Sequence, residues 1–135
     1  MSQARIDRLR AGLERMNRTG ELPADAFAPG FELRQASSII DTAGDFHGPG
    51  GIHDAIRELA ESFENLSFEP EEFFEAPGDE MVVFIRVQAR GRGSGLEMDN
   101  HIAWVLTYLD DKVVRLVVYE ERAEALAAVG LPVTG

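Results

Sequence analysis

The chain has 135 residues, no cysteine and a formal charge of −11. Its length suits one domain that can bury a core without cross-links, while the lack of cysteine excludes a disulfide framework, a thiolate zinc site and a thiol nucleophile. The acidic balance argues against charge-driven binding of nucleic acid or of an anionic membrane surface, and no apolar run approaches the roughly 18–20 residues of a membrane span. The first residues are not followed by the apolar core of a signal peptide, so the expectation is a cytoplasmic protein.

In chain order, Ile6, Leu9, Leu13 and Met16 recur at three- and four-residue spacing and predict a helix over residues 3–18. Arg5, Arg8, Arg10 and Arg15 belong mainly to its wetted side, and Gly20 stops it. Residues 22–30 hold Pro23, Phe27 and Pro29, which reads as one short helical turn with Phe27 tucked inward. Residues 31–40 alternate loosely and look like a first strand. A loop rich in Gly, Pro and Asp follows over 41–51. Ile52, Ile56, Leu59, Ala60 and Phe63 then form one apolar stripe, predicting a helix over 50–64. Residues 66–76 are strand-like, but Pro70 cannot donate to a ladder, so this strand is expected at an edge or with a bulge.

The remaining chain predicts an antiparallel meander over 81–92, 98–109 and 112–119. Its joins are a Gly-rich turn at 91–95 and a tight Asp110-Asp111 turn. Residues 121–129 predict a short terminal helix ending at Gly130, followed by a loose tail over 131–135. Alternation along 98–109 sorts the side chains into two faces. Met98, Asn100, Ile102, Trp104, Leu106 and Tyr108 hold the larger groups and are expected inside. Asp99, His101, Ala103, Val105, Thr107 and Leu109 are expected to face solvent or a partner subunit.

This order resembles the nuclear-transport-factor-two-like superfamily, and within it the SnoaL-like (polyketide-cyclase-like) branch. RAGLERMNRTG at 10–20 is similar to that branch's first helix and its Asn-Arg-Gly ending; FHGPGGI at 46–52 is similar to its lead-in to the third helix. RGRGSGLEMD and VYEERAEALAAVGL extend the likeness through 86–127. The resemblance implies a single α+β domain over 1–135, ordered over about 3–130. Its curved antiparallel sheet is wrapped as a cone on three N-terminal and central helices, with a short C-terminal helix behind. It also implies an apolar pocket and a homodimer formed through the sheet. The expected lining is Leu13, Met16 and Phe27 from the helices, Met98, Asn100, Ile102, Trp104 and Leu106 from one strand, and Leu116 and Val118 from the last.

Three chemistries known on this fold can be laid on these residues. The steroid-isomerase roles fall on Leu13, Trp104 and Asp41, of which only Asp41 can exchange a proton at neutral pH. The epoxide-hydrolase relay would use Asp41, Arg86 and Asp99. A cyclase of the SnoaL type would take its acid/base pair from Asp41 and His47 at the pocket mouth, or from His101 on the sheet. His53 is read as structural. No cofactor or metal is expected, because the histidines share no ligand spacing and Gly91-Arg92-Gly93 leads into a strand, not a helix. Three functions follow: binding of a hydrophobic or polycyclic small molecule, a lyase, cyclase or isomerase using Asp41 and His47, or a protein-interaction module using the outer sheet face.

Overall fold

The computed structural model describes residues 2–19, 27–35, 46–47 and 49–132; the side chains of 2, 35, 46–47, 49–53 and 55–56 lie outside that description. Along the chain run α1 (Ser2–Thr19), β1 (Phe27–Gln35), β2 (Phe46–His47), α2 (Pro49–Ser62) and β3 (Phe63–Ala76). They are followed by β4 (Glu80–Gly91), β5 (Glu97–Leu109), β6 (Lys112–Tyr119) and α3 (Arg122–Ala128). The strands form one curved sheet in the order β2-β1-β6-β5-β4-β3.

The meander β4-β5-β6 follows from β-branched and aromatic residues broken only at turns. Asp110 and Asp111 both have positive φ, 51° and 64°. That is the backbone required by a two-residue hairpin whose twist matches its strands, and aspartate tolerates it. β1 departs from the expected antiparallel pattern, since it lies parallel to β6 with Leu33 opposite Leu116. Everything from β2 to β5 intervenes between these two strands, so no hairpin constrains their direction. The sheet is therefore mixed. Pro70 sits on the edge strand β3, where the register slips between Pro70 and Glu72 and leaves Glu71 as the extra residue.

Several boundaries move. β1 begins at Phe27, four residues before the expected strand, and the rest of the proposed helical turn lies outside the described residues. Phe63, placed on the helical stripe by its spacing, is the first residue of β3, because α2 passes into the strand without a loop. Arg92 ties the β4–β5 turn to α2. Its backbone N–H donates to Ser62 O at 2.9 Å and its Nε to Ala60 O at 2.8 Å, capping the carbonyl end of α2. Leu131 is not loose tail: it packs on the α3 core and its N–H donates to Leu126 O.

Two apolar layers flank the sheet. On one face Leu13 and Met16 of α1 and Phe27 and Phe31 of β1 meet Met81, Val83, Ile85, Trp104, Leu106 and Leu116. On the other, Ala125, Leu126 and Val129 of the α3 region cover Val82, Phe84, Ala103 and Val105. Ala103 and Val105 were expected to meet solvent or a partner; instead the chain's own last helix buries them. That helix is held down by Leu126, since burying a leucine is worth roughly 1.5–3 kcal/mol.

Candidate functional site

α1 divides its circumference three ways. Its central stripe, Ile6, Leu9, Leu13 and Met16, packs on the sheet. One flank faces the edge strand β3, where Arg10 lies 5.1 Å over the Phe73 ring and Asn17 bonds Phe68. Arg5, Arg8, Gly12 and Arg15, at the i, i+3, i+7, i+10 spacing of one helix side, line a cavity of about 420 Å³.

The cavity floor is apolar, made of Leu13, Phe27, Trp104, Leu106, Val113 and Leu116. Trp104 is only 7% exposed and its ring leans on Phe68 at 5.7 Å, which fixes it facing α1. The charged wall is Arg5, Arg8 and Arg15 with Asp111. Arg5 is held in place, 3.6 Å from Asp79 and 3.5 Å from Asp111, with its guanidinium 4.5 Å over the Tyr108 ring. The two turns that carry Asp79 and Asp111 meet at this end of the sheet, and Tyr108 N–H donates to Asp79 O at 2.9 Å. Burial pushes the Tyr108 phenol up from its ordinary pKa, against the opposing pull of Arg5 and Arg8, so it stays protonated at neutral pH.

The expected lining residues are distributed as follows. Leu13, Phe27, Trp104, Leu106 and Leu116 line the cavity. Met16 is packed in the core, and Met98, Ile102 and Val118 are half-buried against it without reaching the cavity wall. Asn100 is exposed. Its stretch of β5 extends beyond β6, whose last partner is Tyr119 opposite Ala103. Asp41 lies outside the described residues. His47 lies on β2 opposite Glu32, with its side chain outside the description. The cavity residues that alternation and the apolar stripe do not reveal are Arg5, Arg8, Gly12 and Arg15 of α1, with Asp111 and Val113 at the β5–β6 turn. A glycine in the interior of a helix, where it costs about 1 kcal/mol against alanine, was the available signal.

The α3 face carries the other polar cluster. Arg86 and Asp99 form a two-pronged pair, Nε–Oδ1 2.9 Å and Nη2–Oδ2 2.7 Å. They share the strand faces of Phe84 and Ala103, on the opposite side of the sheet from the cavity. The relay Asp41–Arg86–Asp99 is therefore not assembled in the cavity. His101 stands on the same outer face, 3.3 Å from Glu71, and Arg122 of α3 also donates to Glu71. Among the described residues no group of three or more acidic or histidine side chains is arranged to hold a metal ion, and no helix is long and apolar enough to cross a membrane.

Solved structures of other proteins share this fold. A candidate SnoaL-like polyketide cyclase from Jannaschia sp. CCS1 is 20% identical, with a TM-score of 0.68 over 95% of this chain and 92% of that one. A candidate isomerase from Bacillus subtilis is 14% identical, with a TM-score of 0.72 over 94% of this chain and 92% of that one. TerC, crystallised with polyporic acid, is 18% identical, with a TM-score of 0.70 over 93% of this chain and 96% of that one. At such identities the likeness speaks for the fold. No curated protein sequence matches the chain significantly. The family model of the SnoaL-like domain matches residues 7–116, a span that includes most of α1, the cavity floor and the whole sheet except its last residues; the chain belongs to the SnoaL-like domain family.

Proposed function

We propose that the chain binds a small, largely apolar molecule between α1 and the sheet. The observation that carries this reading is the cavity of about 420 Å³ with an apolar floor under α1, the size and character of sites that take small organic ligands. TerC, of the same fold, was crystallised with polyporic acid, a small organic molecule. A ligand that binds only the folded chain must raise its melting temperature. A thermal-shift panel of polycyclic and terpenoid compounds is expected to contain at least one stabilising member. If a broad panel leaves the melting temperature where it was, the binding reading fails.

A second reading, cyclase or isomerase chemistry, is favoured by the candidate cyclase and isomerase among the similar structures. Asp41 and His47 remain its acid/base pair. Once a bound molecule is found to turn over, Asp41→Asn and His47→Ala should each slow it. Unchanged turnover in both variants removes that pair.

A further inference from the structure

We infer that the cavity takes an anion: an apolar molecule bearing an acidic oxygen, such as a carboxylate or an enolate, whose charge lies between the guanidinium groups of Arg8 and Arg15. This rests on the reading of the cavity as a ligand site and adds the chemistry of the ligand.

Charge is the first reason. The whole chain carries −11, yet three of the four charged residues lining the cavity are arginines. Their partners are the second. Arg5 is occupied by Asp79, Asp111 and the Tyr108 ring, which leaves no net charge from the Arg5–Asp111 pair. The guanidinium groups of Arg8 and Arg15 have no ion pair or hydrogen bond among the described residues; the Thr19 hydroxyl donates to the backbone carbonyl of Arg15, not to its side chain. Two guanidinium groups, each a fork of donors shaped for a carboxylate, thus stand free beside an apolar floor.

Gly12 is the third reason. It is buried in the middle of α1, between Arg8 one turn before it and Arg15 one turn after, and it lines the cavity itself. A helix interior disfavours glycine, and at a position that lines the cavity a side chain would take up some of its space. Uncharged donors line the same cavity. The Tyr108 hydroxyl and the Trp104 indole N–H belong to lining residues, and neither makes a side-chain hydrogen bond among the described residues. The phenol, held protonated by burial, can donate to an acidic oxygen but would repel it if ionised.

The test uses naphthalene carboxylate and its methyl ester, two probes with one ring system and different charge. Their affinities are measured by calorimetry at neutral pH and low salt on the wild type and on an Arg8→Gln/Arg15→Gln double variant. An Arg10→Gln variant, on the flank of α1 that faces β3, serves as control. The carboxylate should bind about tenfold tighter than the ester, as expected for charge-assisted hydrogen bonds. That preference should vanish in the double variant, persist in Arg10→Gln, and fall with added salt. Gly12→Leu should block both probes. Equal affinities, or a preference that survives the double substitution, overturn the anion inference while leaving the cavity as a site for neutral molecules. Binding of neither probe overturns both.

Discussion

The side-chain amide of Asn17 and the backbone of Phe68 exchange two hydrogen bonds, Nδ2 to the carbonyl and the N–H to Oδ1, each 2.8 Å long. Phe68 belongs to the edge strand β3 and pairs with Val87 on its inner side, so the amide takes the place of one residue of a missing neighbour strand. It closes part of an edge that would otherwise offer unpaired backbone and pins the last turn of α1 beside the core.

Asn17→Ala should therefore destabilise the fold by about 2–3 kcal/mol, because both partners of Phe68 are lost at a part-buried site. Asn17→Asp keeps the acceptor and loses the donor, and should fall between. Chemical denaturation reads both values. A change of only a few tenths of a kcal/mol for Asn17→Ala would show that water replaces the amide without cost.

Arg92 reaches from the β4–β5 turn to the carbonyl end of α2, whose own last turn has no basic residue. Arg92→Ala should cost up to about 1 kcal/mol, the usual worth of a cation at a helix C-terminus. Amide exchange should quicken first near Ala60 and Ser62. Uniform quickening across the chain would argue against a local capping role.

Gly130 has φ +79° and closes α3. Its N–H donates to Ala127 O at 3.1 Å, and Leu131 N–H donates to Leu126 O at 2.9 Å, the paired bonds of a glycine-terminated helix. A Cβ there would meet no atom within 4 Å, so Gly130→Ala probes conformation alone. The expected loss is about 1–2 kcal/mol. A neutral substitution would mean that α3 ends without this conformation.

Acid should weaken the α3 face. The hydrogen bond from Arg122 holds the Glu71 carboxyl below its ordinary pKa, and Arg86 does the same for Asp99. A carboxylate depressed in the folded state adds stability that is present above its unfolded pKa and is lost as pH falls through the folded one. Glu71→Gln and Asp99→Asn should therefore melt below the wild type at neutral pH, with the gap closing as pH falls through the depressed carboxyl values, below the ordinary carboxylate range. Measuring the gap cancels the relief of the chain's overall negative charge, which acts on all forms alike. A gap independent of pH would show that these pairs do not stabilise through charge.

Much of the fold was legible in the residues themselves. Period-two runs broken at turn residues mark the meander, to the residue in the case of β6, and Pro70 marks the edge strand with its bulge. These are local properties, set by backbone sterics and by which neighbours repeat at which spacing. The site was only half legible. Trp104, Leu106 and Leu116 fall on an inward face by alternation, whereas Arg5, Arg8 and Arg15 look like ordinary solvated charges beside an apolar stripe. Nothing local separates a helix flank turned to water from one turned to a cavity.

Alone, the order of residues determined the meander and the edge strand, most of the helix spans and the family likeness, because each is written in spacing along the chain; it did not show β2, which lies in the stretch read as a loop. Tertiary packing decided what spacing cannot carry. It laid β1 parallel to β6, drew α3 over Ala103 and Val105, placed Arg86 and Asp99 on the far side of the sheet, and turned three arginines of α1 toward a cavity. Each of those outcomes depends on where a distant segment comes to rest, and residues far apart in the chain meet only when the whole sheet has closed on its helices.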